Sequence, residues 1–213
     1  MPFLNQRLTW FLSNTVSLGL VLEGEADYAA VPVLLRRAGA APGRGAVFKG
    51  QGVECAIPTL VQKKLVPHTR AQILKGHSKV LVIIDRETRN DCPGDFAQRV
   101  QAELVRQLDA SYGYRGTPPV SVVCADRTLE NWLLADPRGI RSHAYIQRDI
   151  TRRAGANVDG LDALSIMRWA YGSGRAYDKT RDAAALATRV RVERREVRQR
   201  SKSLDKLLRE AGV

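Results

Sequence analysis

Val16-Ser17-Leu18-Gly19-Leu20-Val21-Leu22-Glu23-Gly24-Glu25-Ala26-Asp27 decides the reading of this chain, because an uninterrupted apolar run ends in carboxylates separated by a glycine. A run that is apolar on both faces is the pattern of a central parallel strand covered by helices on each side. The carboxyl ends of such strands face the crevice where open α/β sheets bind ligands. Glu23 then stands at the strand end, Gly24 in the turn, and Asp27 in the first turn of the next helix.

A second run repeats the pattern. Lys79-Val80-Leu81-Val82-Ile83-Ile84 leads into Asp85-Arg86-Glu87. Carboxylates packed into one cleft repel one another unless a cation neutralises them, and hard divalent ions do so through oxygen ligands. Taken singly, Asp27 also reads as a partner of a helix dipole and Asp85 as a turn residue. Taken together, on two strands in this order, they predict a metal site.

Around these runs the chain alternates strand and helix signals. Tyr28, Ala30, Val31, Leu34, Leu35 and Ala38 recur at helical spacing, with Pro32 expected to be tolerated only near a helix start. Ala46-Val47-Phe48-Lys49 reads as a short strand before a Gly50-Gln51-Gly52 turn, and Cys55 to Leu74 as a helical region interrupted at Pro58 and Pro67. Phe96, Val100, Leu104 and Leu108 form a core-facing helical stripe. Pro119-Val120-Ser121-Val122-Val123-Cys124 is the next strand, and Glu130 opens the helix after it, while Asp136 before Pro137 reads as a helix-end residue. Helices are expected around Leu161 to Trp169, from Ala183 to Val190, and from Ser203 to Ala211, the last capped by Ser203 and stopped by Gly212. The predicted fold is α/β and Rossmann-like, with about four mainly parallel strands flanked by helices. Residues 1–137 form the core and residues 138–213 a basic helical extension packed on it.

At this point the residues resemble a known family. Glu23-Gly24-x-x-Asp27 followed by Asp85-x-Glu87 resembles the TOPRIM domain, the topoisomerase and primase fold shared with overcoming-lysogenization-defect (OLD) nucleases. Arg127-Thr128-Leu129-Glu130-Asn131-Trp132-Leu133-Leu134-Ala135-Asp136, Tyr177-Asp178-Lys179 and Arg200-Ser201-Lys202-Ser203-Leu204 are similar to a TOPRIM-like group, domain-of-unknown-function family 4276. TOPRIM domains usually carry Asp-x-Asp, where this chain has Glu87 as the second acid. The resemblance implies a nuclease using Mg²⁺ or Mn²⁺, with Glu23, Asp27, Asp85, Glu87 and Glu130 as metal ligands. It leaves open whether Glu23 ligates or acts as general acid or base. Lys179 is expected to stabilise charge on the phosphorus, as a point charge facing phosphate. The resemblance also implies a role in anti-phage defence. It further implies a separate ATPase partner, with which the absence of a P-loop motif here is compatible, and pairing into a homodimer.

Composition narrows the class. The 213 residues are 44% apolar, enough for a single core, and carry a net charge of +12. The bias is uneven: residues 1–137 have 16 basic and 13 acidic side chains, residues 138–213 have 18 and 9. Such a basic region favours phosphate-rich partners, and Arg189, Arg191, Arg194, Arg195, Arg198 and Arg200 are the predicted nucleic-acid contacts. No stretch approaches the roughly 20 apolar residues of a membrane span, and no signal-peptide pattern precedes Glu23, so a cytoplasmic protein without membrane contact is expected. Cys55, Cys92 and Cys124 fit neither a disulfide framework nor a zinc motif.

Two other functions compete with the nuclease. One is a non-catalytic nucleic-acid-binding or regulatory subunit, its site altered by Glu87. The other is a receiver-like domain phosphorylated on Asp85, which needs a hydroxyl at the fourth strand end, where this chain reads Val-Val-Cys-Ala-Asp.

Overall fold

The computed structural model describes residues 17–49 and 55–213. The expected Gly50-Gln51-Gly52 turn lies outside the described residues. The opening stretch forms β1 (Ser17–Leu22), and the helix α1 (Glu25–Arg37) follows directly. Pro32 sits in the middle of α1 rather than near its start, and the helix continues past it.

After α1 come two short strands, β2 (Ala41–Pro42) and β3 (Ala46–Val47). Both pair in parallel with the same edge of β1, one after the other. The sheet therefore has five strands instead of about four, because β1 is long enough to accept two successive two-residue partners. Pro42 costs nothing there, since an outer strand need not donate on its free side.

Next, α2 (Ile57–Leu60) runs through a π-helical turn, Val61–Leu65, into α3 (Val66–Leu74). The expected interruptions do not break this helix. Pro58 lies in its first turn, where an amide donor is dispensable, and Pro67 follows the wider π turn, which absorbs the crowding that a proline ring imposes on the preceding turn.

β4 (Lys79–Asp85), α4 (Pro93–Tyr112) and β5 (Val120–Ala125) complete the sheet. Its order is β2-β1-β4-β5, all parallel, with Leu20 opposite Leu81 and Val82 opposite Val122. Alternation sends Leu18, Leu20, Leu22, Leu81, Ile83 and Val123 to one core. It sends Val21, Val80, Val82, Ile84, Val122 and Cys124 to the other, against α3 and α4. Each fully buried aliphatic side chain contributes about 1.5–3 kcal/mol, so both faces bind their helices strongly.

The remaining helices are α5 (Leu129–Leu134), α6 (Pro137–Arg141), α7 (Thr151–Ala154), α8 (Ala163–Ala170), α9 (Lys179–Ala187), α10 (Arg195–Arg200) and α11 (Lys202–Ala211). Ile140, Met167, Leu186, Leu204 and Leu208 share the core of α1 and β1. α9 packs on α1 and α11 on β5. Lys79 and Ser121 both donate to Glu210 of α11 at 2.8 Å, tying that helix across the sheet.

Two helix starts differ from expectation. α9 begins at Lys179, four residues before Ala183, because the Asp178 carboxylate accepts from the Thr180 and Arg181 amides. α11 is capped by Ser201, whose Oγ accepts from Leu204 N at 3.1 Å, while Ser203 lies inside the helix. Gly212 ends α11 at φ 82°, a left-handed position suited to glycine.

Candidate acidic site at the carboxyl ends of the strands

Glu23 follows the last residue of β1 and is 9% exposed. Its Oε2 accepts from the Asp85 amide at 2.8 Å, so one carboxylate bridges the ends of β1 and β4. Gly24 is extended (φ −140°) rather than a tight left-handed turn, and caps α1. Its amide donates to Asp27 Oδ2 at 3.0 Å, and a β-carbon on Gly24 would meet that same oxygen at 3.3 Å. Asp27 is thus held in the first turn of α1, where a negative charge is favoured by the helix dipole.

Asp85 ends β4, and Glu130 lies in the first turn of α5. Glu130 is almost fully buried and accepts from the Tyr177 hydroxyl at 3.0 Å. Lys179 opens α9 with an exposed side chain. The packing of α9 on α1 sets its charge against the acids.

The charges of these groups act on one another. Glu23 is raised to about 7, chiefly by burial and then by Glu87 and Asp27, against the opposing Asp85 amide and Lys179. Asp27 is raised to about 6 by burial and by Glu130, with the Gly24 amide and Lys179 opposing. Asp85 lies well above the usual carboxylate range through burial, then Asp27, Glu23 and Glu130, again with Lys179 opposing. Protonation is favoured here chiefly because burial disfavours the charged carboxylates, and then because their mutual repulsion exceeds what Lys179 offsets.

Glu87 differs from the others. It is exposed, with a positive φ of 51°, and its amide donates to Arg127 O at 2.9 Å, where Arg127 has φ 78°. These two residues are the non-glycine positions with positive φ among the described residues. They lie side by side in the loops that follow β4 and β5. Strained backbone of this kind clusters at working sites. Arg86, between the two acids, turns away and pairs with Asp126 at 2.6 Å.

Among the described residues no three His, Cys, Asp or Glu side chains are gathered as a ligand set. The donors nevertheless suit a hard cation, being carboxylate oxygens whose mutual repulsion a divalent ion would relieve. Binding would require rotation of the side chains toward a common point.

The predicted arginines divide. Arg189, Arg194 and Arg195 are exposed. Arg191 is clamped on Asp136, donating through Nε and Nη2 at 2.6 Å each. Arg198 donates to Asp205 at 2.7 Å and to the Val213 carbonyl, and Arg200 has a buried Nη1. Asp136, expected at a helix end, is instead the cap of α6, accepting from Gly139 N at 2.9 Å.

Sequence reasoning also left functions unassigned to Tyr177 and to the serines of Ser201-Lys202-Ser203. Those serines have a structural task. Asp159 accepts from Ser201 Oγ (2.7 Å), Lys202 N (2.7 Å) and Ser203 Oγ (3.0 Å), and Trp132 Nε1 donates to Ser203 Oγ at 2.8 Å. The tryptophan and the serine motif are thus two halves of one joint, separated by 71 positions in the chain.

No protein-family model and no curated protein matches this chain. Among solved structures, its fold is similar to the C-terminal region of the Burkholderia pseudomallei OLD protein, at 18% identity and a TM-score of 0.43, over 90% of this chain and 98% of that one. It is also similar to the C-terminal region of the Xanthomonas campestris pv. campestris OLD protein, at 16% identity and a TM-score of 0.42, over 92% and 98%. Among the described residues no helix is long and apolar enough to cross a membrane.

Proposed function

We propose that the chain is a TOPRIM-type nuclease dependent on Mg²⁺ or Mn²⁺ that hydrolyses phosphodiester bonds of nucleic acid. The observation that carries this reading is the placement of Glu23, Asp27 and Asp85 at the ends of β1 and β4, where Glu23 accepts from the Asp85 amide, with the charge of Glu130 acting on Asp27 and Asp85 and that of Lys179 opposing all three. Asp85, Glu23 and Glu87 would hold the ion, supported by Asp27 and Glu130. A bound ion supplies Lewis acidity and a water of lowered pKa.

The protein's own residues supply the rest. Glu23, with its pKa near neutrality, is suited to take or give a proton at its carboxylate. Lys179 offers a point charge to the developing negative charge on the phosphoryl oxygens. The Tyr177 hydroxyl fixes the orientation of Glu130. The exposed Arg189, Arg194 and Arg195 are available to a phosphate backbone.

The test is cleavage of plasmid, single-stranded DNA and RNA by wild type and Asp85→Asn, with Mg²⁺, Mn²⁺ or EDTA. Cutting should need the metal and disappear in the variant while its thermal melting stays cooperative. Cutting that persists in EDTA or in Asp85→Asn refutes the reading.

One observation favours a second reading, a non-catalytic nucleic-acid-binding subunit: the carboxylates are not gathered as a ligand set among the described residues, and Glu87 is exposed. Salt-sensitive binding without cutting under any metal would support it. A separate ATPase partner, a homodimer and a role in antiviral defence rest on the family resemblance, and the first two are open to co-purification and mass measurement.

A further inference from the structure

Beyond the acids, a chain of aromatic rings leads away from the site. Tyr177, bonded to Glu130, meets Tyr171 edge-on at a centroid distance of 5.3 Å, and Tyr171 meets Tyr145 at 6.3 Å. Tyr171 and Tyr177 are buried, whereas Tyr145 is 45% exposed, an unusual state for a large apolar ring among the described residues. The ladder therefore surfaces at Tyr145, two ring-to-ring steps from the residue that holds Glu130.

Positive charge is fixed at this ring. The Arg175 guanidinium lies 3.6 Å from the Tyr145 centroid, and it is held there by the buried Asp182, to which Nη2 donates at 2.5 Å. His143 adjoins Tyr145 at 5.3 Å. The carbonyl of the exposed Arg189 lies against Gly139, four residues before His143, and burial with the charges of Arg189 and Arg175 lowers the His143 pKa against the opposing Asp182.

We propose that Tyr145, with Arg175 stacked on it and Arg189 beside it, is a platform on which a base of single-stranded nucleic acid stacks next to the acidic crevice. Aromatic rings and arginine planes accept any base by stacking, and fixed cations beside them follow the phosphates. A duplex keeps its bases inside the helix and cannot use such a ring. The platform rests on the nuclease reading for its purpose, since it names the strand form delivered to the acids. Of the predicted Arg189 to Arg200 contacts the platform takes up only Arg189, while Arg191 and Arg198 are spent on internal partners.

The experiment is fluorescence anisotropy in EDTA with the full chain, using labelled oligo(dT), oligo(U), an abasic strand of equal length and a duplex. Wild type should bind base-bearing single strands at least fivefold more tightly than the abasic strand. Tyr145→Ala should lose about tenfold in affinity for base-bearing strands and little for the abasic strand or the duplex, and Tyr145→Phe should retain wild-type binding. The oligo(dT) and oligo(U) arms compare a DNA strand with an RNA strand. Equal binding of abasic and base-bearing strands by wild type overturns the platform even if Tyr145→Ala fails to fold. So does an equal loss on every probe. Base-dependent binding in EDTA together with no cutting in Mg²⁺ or Mn²⁺ would leave the platform standing and refute the nuclease. Asp85-dependent cutting with no base preference would do the reverse.

Discussion

Glu23→Gln should stabilise the protein at pH 8 in the absence of divalent metal. In the folded chain Glu23 holds its proton up to about pH 7, whereas an ordinary glutamate releases it near 4.5. The folded state thus binds this proton more tightly than the unfolded state does. Its stabilising contribution is complete below pH 4.5 and is lost as pH rises through about 7. The interval from 4.5 to about 7 corresponds to about 3.5 kcal/mol, taking about 1.4 kcal/mol per pH unit. Glutamine keeps an oxygen to accept from the Asp85 amide and removes only the charge. At pH 8 the variant should melt about 7–14 °C above wild type, using 2–4 °C per kcal/mol for a domain of this size. Near pH 4.5 the two should differ by no more than about 1–2 °C on the same scale. Thermal denaturation in EDTA at pH 4.5, 6 and 8 measures this. Saturating Mg²⁺ should close most of the gap at pH 8, because the ion neutralises the repulsion that the substitution relieves. A variant less stable than wild type at pH 8, or a difference independent of pH, refutes the account of the cluster.

Two further substitutions probe the joints that hold the helices behind the site. Asp136→Ala should cost about 3–5 kcal/mol in urea denaturation, because it strands the Arg191 guanidinium and uncaps α6 at once. Arg191 holds the Asp136 carboxyl below its usual range despite burial, so this contribution should fade in acid. Asp159→Ala should cost about 2–4 kcal/mol and raise amide exchange at the start of α11, since it removes acceptors for Ser201, Lys202 and Ser203 together. An effect below about 1 kcal/mol, the worth of a single ordinary hydrogen bond, would show that the clasp is not a joint.

Much of this was legible because it depends on local pattern. A run apolar at every position, as in β1 and β4, has only a sheet interior to occupy, and the alternation of such runs with helical stripes leaves little choice beyond a parallel α/β layer. The acids at the strand ends followed from topology. Features set by contact partners were not legible. Pro32 is expected only near a helix start and Pro67 as an interruption, yet α1 continues past Pro32 and a π turn accommodates Pro67. Ser203 looked like a cap because serine favours that position, but the Asp159 clasp shifts the helix start so that Ser201 performs it.

By itself the sequence determined the sheet, the direction of its strands and the carboxylates at their ends, because hydrophobic period and charge are properties of the chain. Only the tertiary structure decided which charges remain at the surface. Arg189 and Arg191 are two residues apart and chemically alike, yet one is exposed and the other is consumed by a buried carboxylate 55 positions away. A guanidinium pairs with whatever acid the fold brings within about 3 Å, and that distance is fixed by packing between elements far apart in the chain. The same packing sets Lys179 against Glu23, Asp27 and Asp85, which turns separate acids into one electrostatic site.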